Sequence, residues 1–86
     1  MPINSVSWTR KAVKQLLKLH SQHQAQIRDA VTLLEAMPDV INIKALTHNQ
    51  YGYRLRIGAY RVLFDWDGAV RIVSIQEVKK RNERTY

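Results

Sequence analysis

The stretch Tyr-Arg-Leu-Arg-Ile-Gly-Ala-Tyr-Arg-Val-Leu-Phe, residues 53–64, predicts a β-hairpin. Apolar and basic residues alternate up to Ile57, which is typical of a half-buried strand. Gly58-Ala59 suits a two-residue loop with glycine first, the preference of a type II′ turn. We therefore expect Ile57 to pair with Tyr60 at the start of the returning strand.

This register places three arginines on one face of the sheet. Arg56 should lie directly across from Arg61, and Arg54 across from Leu63, because side chains alternate between faces along a strand. Like charges opposite one another destabilise a sheet. The cluster therefore predicts an anionic ligand, and the planar fork of the guanidinium suits phosphate in particular.

The composition indicates a single domain, residues 1–86. A hydrophobic content of 45% in 86 residues is enough for a folded globule with a thin core. The chain has no cysteine, which excludes disulfides and thiolate metal sites. No apolar run approaches a membrane span and no signal pattern opens the chain, so we expect a cytoplasmic protein without membrane contact.

The charge of the chain predicts an acidic partner. The net charge is +7 and the pI is about 10.2, values that favour nucleic acid as the partner. Residues 51–86 hold eight Lys or Arg against four Asp or Glu, and residues 1–50 hold six against three. The alternative is that this charge only keeps the protein soluble.

The first half of the chain predicts a short strand over residues 3–8 followed by two helices. Thr9 is a suitable N-cap for the first helix. The run Ser-Gln-His-Gln at residues 21–24 matches a capping box, so the second helix should begin there. Its apolar stripe extends towards Met37, and Pro38 ends it. Two helices joined by a tight turn form an αα-hairpin.

The second half predicts three more strands after a connector, at residues 51–57, 60–66 and 69–78. Asp67-Gly68 is a strong signal for a second two-residue turn, of type I′. That turn would place Val62 opposite Val73 and Arg61 opposite Ser74.

These elements predict an α+β domain in the order β-α-α-β-β-β. The αα-hairpin should pack on one face of a small antiparallel sheet, which the N-terminal strand joins. The apolar face that receives the helices should carry Tyr60, Val62, Phe64, Val73 and Ile75. The opposite face carries the arginines.

An arginine-rich face suits RNA cleavage by attack of a ribose 2′-hydroxyl on the adjacent phosphate. The nucleophile belongs to the substrate, so the protein must hold the nucleotide in line, stabilise charge on the phosphoryl oxygens and move protons. His20 and His23 straddle the predicted turn between the helices, without a third ligand nearby, so we predict no metal site. We expect no cofactor.

The hairpin motif, the following Asp-Gly and the strand ending in Val-Lys-Lys-Arg with a tyrosine shortly after resemble the RelE/ParE toxin superfamily. The resemblance covers nearly the whole chain and is closest to RelE-type mRNA interferases of bacterial toxin–antitoxin modules. It implies an endoribonuclease that cuts mRNA in the ribosomal A site through 2′-hydroxyl attack and so inhibits translation. It also implies a cognate antitoxin, acidic in its toxin-binding part.

The resemblance assigns site residues by position. The catalytic set that it implies is Arg54, Arg56, Arg61, Arg81 and Tyr86. The basic tail adds candidate RNA-binding residues, namely Lys79, Lys80 and Arg84. The general base stays open among Tyr86, Glu77 and a mechanism that rests on positioning.

Two other functions are also compatible with the sequence. A ParE-like toxin would inhibit DNA gyrase by binding, without the set of arginines and tyrosine. A nucleic-acid-binding module would use the same basic face without catalysis.

Overall fold

The computed structural model describes residues 3–80 of the chain. Its elements are β1 (Ser5–Trp8), α1 (Arg10–Leu17), α2 (Ser21–Thr32), a 3-10 turn (Leu33–Ala36), β2 (Ile43–Ala45), β3 (Tyr53–Ile57), β4 (Tyr60–Asp67) and β5 (Ile72–Lys80). The strands form one sheet in the order β1-β5-β4-β3-β2. β1 runs parallel to β5, and all other neighbours are antiparallel. The predicted α+β fold is confirmed, with β2 as a strand that the sequence analysis treated as connector.

Both helices begin where predicted, but a different residue caps the second. Thr9 is the N-cap of α1, and its hydroxyl accepts a hydrogen bond from the amide of Ala12 at 3.1 Å. The N-cap of α2 is His20, whose Nδ1 accepts from the amide of Gln22 at 3.3 Å. The capping-box prediction is wrong by one residue, because His20 keeps an extended backbone and Ser21 is already helical.

The helices cover one face of the sheet and bury it. The predicted apolar face is confirmed, because Tyr60, Val62, Phe64, Val73 and Ile75 are all buried in the core cluster. Ile27 and Val31 of α2 pack against them one helical turn apart, and full burial of such a side chain stabilises by about 1.5–3 kcal/mol. No helix within residues 3–80 is long and apolar enough to cross a membrane.

The first hairpin has the predicted register. Ile57 pairs with Tyr60, Arg56 with Arg61, and Arg54 with Leu63. Gly58 has a φ of +53°, which the first position of a type II′ turn requires. The arginines of β3 and β4 therefore stand on the sheet face opposite the helices, which we call the arginine face.

The second hairpin differs from the prediction, because its loop has four residues and not two. Asp67 pairs with Ile72, and residues 68–71 form the loop. The Oδ1 atom of Asp67 accepts hydrogen bonds from the amides of Ala69 at 2.9 Å and Val70 at 3.3 Å. Arg71, with φ of 58°, then returns the chain to the sheet. The aspartate side chain stabilises a wider turn than Asp-Gly alone would make.

A β-bulge in β5 changes the register again. Phe64 pairs with Ile75, but Leu63 pairs with Glu77, so Gln76 is an extra residue on β5. A one-residue insertion reverses the face of every side chain beyond it. Glu77 therefore lies on the arginine face.

The wider loop and the bulge together overturn the predicted partners of β4. Arg61 pairs with Lys79 and not with Ser74, and Val62 pairs with Val78 and not with Val73. Ser74 instead pairs with Asp65. The exchange matters for charge, because it puts a cation beside Arg61 where the sequence analysis had expected a serine.

Asn4 ties the first strand to two other parts of the fold. It is buried, and its Nδ2 donates to the carbonyls of Glu35 at 3.1 Å and Met37 at 3.0 Å. Its Oδ1 accepts from the indole Nε1 of Trp66 at 2.9 Å. One side chain thus joins β1, the 3-10 turn and β4.

We expect Asn4→Ala to destabilise the protein by about 2–3 kcal/mol, because it leaves the Trp66 donor and the Met37 carbonyl without partners. Urea denaturation followed by circular dichroism measures the loss as a lower midpoint at unchanged slope. Ser7→Ala, at an exposed position on β1, is the control and should change stability by less than about 0.5 kcal/mol. A wild-type midpoint for Asn4→Ala would contradict this role.

Candidate functional site

A row of cations crosses the arginine face. Arg56 of β3, Arg61 of β4 and Lys79 of β5 are consecutive cross-strand partners. Directly opposed side chains in a sheet stand about 4.5–5.5 Å apart at their Cβ atoms, so the three charges repel one another. An anion placed on this row relieves that repulsion.

A second row runs beside the first and contains one acid. Its members are Lys44 of β2, Arg54 of β3, Leu63 of β4 and Glu77 of β5, each paired with the next. Leu63 is buried in the middle of this row. The sequence analysis missed Lys44 because β2 has only three residues, too few for a strand pattern.

The two rows, apart from Arg56, form the floor of a groove of about 630 Å³. It is lined by Lys44, Leu46, His48, Asn49, Gln50, Tyr51, Arg54, Arg61, Leu63, Glu77 and Lys79. Four of these side chains are cationic and one is anionic, which gives the groove a formal charge of +3 with histidine neutral. A concave site with convergent charged groups is the ordinary form of a ligand site.

The predicted site residues fall into four groups. Arg54, Arg61 and Lys79 line the groove together. Arg56 is exposed and does not line it, although its register keeps it on the same face. Lys80 pairs with Tyr60 and thus shares the opposite, helix-covered face. Residues 81–86, which include Arg81, Arg84 and Tyr86, lie outside the described part of the chain.

One wall of the groove is the connection between β2 and β3, residues 46–52, which we call the groove loop. The amide of Leu46 donates to the carbonyl of Gly52 at 2.8 Å and closes it. The amide of Gly52 donates to Oδ1 of Asp65 at 2.8 Å, and the hydroxyl of Tyr51 donates to Oε2 of Glu77, also at 2.8 Å. A carboxylate from each of the two central strands therefore holds this loop.

Glu77 is the centre of a polar network at the edge of the groove. Besides Tyr51, its carboxylate accepts from Gln15 at 3.3 Å and forms ion pairs with Lys11 at 3.4 Å and Lys79 at 3.9 Å. Burial alone would raise the pKa of this carboxyl. The hydrogen bonds and the two lysines outweigh burial, so the pKa of Glu77 is lowered.

Tyr51 shows the reciprocal effect. Its pKa is raised above 10.0, first because its hydroxyl donates to the Glu77 carboxylate and then because the phenol is buried. The neutral phenol is therefore the stable form, and it stays a donor to Glu77. The sequence predicts Tyr51 only as the first residue of a strand, 51–57, and carries no signal for its contact with Glu77.

Arg54 presents a buried donor to the groove. Its Nε atom is buried and makes no hydrogen bond within residues 3–80. An unsatisfied buried donor costs about 1–3 kcal/mol, which natural sites keep where a ligand or water meets it. Together with the cation rows, this atom makes the groove chemically suited to an anion.

His20 and His23 lie near each other, with ring centroids 6.1 Å apart, and His48 lies elsewhere. His20 caps α2, and Nδ1 of His23 lies 2.8 Å from the hydroxyl of Tyr60 in the αα-hairpin region. His48 lines the groove. Within residues 3–80, no three His, Asp or Glu side chains gather as a metal site would require.

Residues 6–84 match the family model described as the ParE toxin of type II toxin-antitoxin system, parDE. The chain belongs to this toxin family. The match covers the helices, the sheet and most of the basic tail, so the resemblance to the RelE/ParE superfamily is confirmed. No curated protein sequence matches the toxin significantly.

Solved structures of RelE proteins share the fold of this toxin. A chain of the RelBE2 toxin–antitoxin complex from Mycobacterium tuberculosis is 26% identical, with a TM-score of 0.79 over 92% of this toxin and 99% of that chain. The archaeal RelE-RelB complex from Pyrococcus horikoshii gives 24% identity and a TM-score of 0.79, over 96% and 99% of the two chains. Isolated RelE from E. coli is 18% identical, with a TM-score of 0.76 over 93% of this toxin and 86% of that chain.

We expect the Tyr51–Glu77 hydrogen bond to make stability fall in acid and in alkali. The lowered pKa of Glu77 adds stability above pH 4.5, and this stability is lost as the pH falls through the pKa that Glu77 has in the folded protein. The raised pKa of Tyr51 adds stability below pH 10.0, and this stability is lost as the pH rises through the pKa that Tyr51 has in the folded protein.

Urea midpoints at neutral pH, below pH 4.5 and above pH 10 measure the loss of stability in acid (the acid limb) and in alkali (the alkaline limb). Glu77→Gln should flatten the acid limb, and Tyr51→Phe should flatten the alkaline limb. Glu35→Gln is the control, because Glu35 is exposed and its carboxylate makes no ion pair within residues 3–80. Identical pH profiles for Glu77→Gln and Glu35→Gln would refute the coupling.

Proposed function

We propose that this toxin is a ribosome-dependent endoribonuclease that cuts mRNA in the A site and so stops translation. The observation that carries the proposal is the groove in which Arg54, Arg61 and Lys79 meet on the sheet. The 2′-hydroxyl of the mRNA loses its proton and attacks the adjacent phosphate, the bond from phosphorus to the 5′ oxygen of the next nucleotide breaks, and that oxygen takes up a proton. The products are a 2′,3′-cyclic phosphate and a free 5′-hydroxyl. The reaction takes place in the cytoplasm, where the ribosomes are.

The cations of the groove supply the electrostatic part of this reaction. Negative charge grows on the phosphoryl oxygens in the transition state, and donors already in place stabilise it without reorganisation. Arg54 and Arg61 offer planar, doubly donating groups for those oxygens, and Lys79 adds a point charge. Arg56 is exposed beside the groove and holds the next phosphate of the chain.

Proton transfer has fewer candidates in the groove. Arginine keeps its proton at any physiological pH, so neither Arg54 nor Arg61 acts as a base. An efficient general base has a pKa near the working pH, whereas the pKa of Glu77 is lowered and its carboxylate already accepts from Tyr51. We assign the proton transfer to Tyr86, supported by Arg81, as the family resemblance implies. Arg84 adds a phosphate contact from the same tail.

The ribosome completes the site in this proposal. Exposed cations follow α1 and α2, away from the sheet, at Arg10, Lys14, Lys18 and Arg28. Such a face suits the phosphates of ribosomal RNA. Docking through the helices would bring the groove to the A-site codon and hold the mRNA in line for attack.

A cognate antitoxin is the second partner. The relatives from M. tuberculosis and P. horikoshii are toxin–antitoxin and RelE-RelB complexes. In this toxin, exposed Leu33 and Ile41 border a groove of about 580 Å³ between α2 and β3. We assign that apolar groove to the antitoxin, with the acidic part of its toxin-binding segment over neighbouring cations.

Inhibition of DNA gyrase is the second candidate function, because the matching family model is that of ParE toxins. A gyrase inhibitor acts by binding and needs no phosphate in the groove. The two functions differ in product: the nuclease leaves cyclic-phosphate ends on mRNA, and the inhibitor blocks DNA supercoiling with mRNA intact.

We expect Arg54→Gln and Arg61→Gln each to lower mRNA cleavage about 10²–10³-fold, since removal of one donor to a developing oxyanion costs that much. Cleavage is measured on programmed ribosomes by mapping cyclic-phosphate ends, and toxicity by growth after induction. Arg71→Gln is the matched control, because it removes one positive charge from the exposed loop 68–71.

Circular dichroism must show that all three variants fold. Folded Arg54→Gln and Arg61→Gln proteins that cut mRNA as fast as Arg71→Gln would overturn the nuclease proposal. Loss of gyrase supercoiling activity, with no cyclic-phosphate ends on mRNA, would replace it with the ParE-type function.

We also expect the purified toxin to cut free mRNA at least about 10²-fold more slowly than mRNA on the ribosome, a typical cost of imperfect positioning. Single-turnover rates on the same transcript, with and without ribosomes, give the comparison. Joint Lys14→Gln and Lys18→Gln substitution should slow only the ribosomal reaction. Equally fast cutting of free mRNA would contradict the role of the ribosome.

A further inference from the structure

We propose that the groove loop, residues 46–52, is a nucleobase-binding wall that sets the sequence preference of cleavage. This inference rests on the proposed function. It assigns to the loop an unstacked RNA base whose phosphate lies on Arg54 and Arg61. None of the residues that form this wall belongs to the phosphate-binding set.

The size of the groove requires more than a phosphate. Its volume of about 630 Å³ lies within the range of about 300–1,000 Å³ that is typical of pockets for drug-sized ligands. A single phosphate on the cation rows would leave most of that space to solvent. A nucleotide fills it when its phosphate lies on the floor and its base against the wall.

The groove loop is held firmly enough to discriminate between bases. Glu77 holds the phenol of Tyr51, and Asp65 holds the amide of Gly52, both at 2.8 Å. A Cβ added at Gly52 would lie 3.3 Å from Oδ1 of Asp65, so this close approach depends on glycine. Rigid placement of polar groups is the condition for selective binding.

The wall also carries suitable hydrogen-bonding groups. Asn49 and Gln50 are exposed at the groove, and the Gln50 amide makes no side-chain hydrogen bond within residues 3–80. Oδ1 of Asn49 accepts from the amide of Tyr51 at 3.0 Å, which holds the side chain in place at the groove. Amide side chains offer a donor beside an acceptor, the pattern that reads base edges in RNA as in DNA.

His48 completes the wall with a strained backbone. Its φ of 54° lies in the left-handed region, which costs a residue other than glycine about 1–3 kcal/mol. Strain of this kind is retained where the surrounding structure holds it for a purpose. Here it turns the chain so that His48, Asn49 and Gln50 all line the groove.

Single-turnover cleavage on ribosomes programmed with A-site codons that differ in one base tests the proposal. Wild type should prefer one base over the worst by about tenfold or more, and Gln50→Ala and Asn49→Ala should reduce that ratio at least about fivefold at one codon position. Gln22→Ala, exposed on α2, is the matched control and should keep the wild-type ratio. Unchanged ratios in both loop variants would overturn the proposal.

The hydrogen bond that holds Tyr51 to Glu77 can be tested separately. Tyr51→Phe removes only the hydroxyl bonded to Glu77, so we expect the ratio of rates between preferred and poor codons to fall. Tyr60→Phe deletes the same group from the distant pair with His23 and should keep the preference. If Tyr51→Phe lowered the rate equally on all codons, Tyr51 would have only a structural role. That result would contradict the proposal that the groove loop recognises the base.

A binding experiment separates failure of this inference from failure of the nuclease proposal. RNA tetranucleotides with 2′-O-methyl groups on the first three sugars have no free 2′-hydroxyl beside a phosphodiester and cannot react, and NMR titration of the purified toxin measures their affinity at up to millimolar concentration. Base-dependent affinity that Gln50→Ala abolishes would support the wall even if wild type cuts no mRNA. Base-independent binding, or no binding, would overturn it even if wild type cuts.

Discussion

The β-bulge at Gln76 is the constraint on which the groove depends. Without the extra residue, the alternation of side chains along β5 would direct Glu77 into the core, among apolar neighbours such as Phe64. With it, Glu77 turns to the arginine face, and Lys79 comes to lie beside Arg61. A single inserted residue thus gives the site both its central carboxylate and one of its cations.

A buried carboxylate within a groove of cations is costly in two ways, since it must be desolvated and it would repel the phosphate of the proposed RNA ligand. Its surroundings offset the first cost, because Tyr51, Gln15 and Lys11 all contact it. The second cost is limited, because the groove keeps four cations against this one acid. In return Glu77 reduces the repulsion between neighbouring cations and fixes Tyr51, so that it organises the groove.

The parts of the site that could be predicted from the sequence are those that local rules determine. Gly58-Ala59 sets the register of the first hairpin, and alternation alone then aligns Arg54 and Arg61. Asp67-Gly68 has the same form, yet hydrogen bonds from the Asp67 side chain favour a wider loop that no dipeptide rule separates from the shorter one. The groove loop is anchored by partners 13 and 26 residues away along the chain, Asp65 for Gly52 and Glu77 for Tyr51. The bulge arises in the pairing of β4 with β5. Only the folded chain brings these partners together.

The fold alone cannot separate the two toxin functions, because RelE and ParE proteins share it and function resides in the site. The groove provides the physical distinction. A protein that only binds gyrase gains nothing from opposed cations above a buried Arg54 donor, since both features destabilise the free protein. In the proposed reaction, RNA phosphate would repay both costs on binding. The antitoxin is assigned to a different surface, the apolar groove between α2 and β3, so catalysis and inhibition would not compete for Arg54 and Arg61.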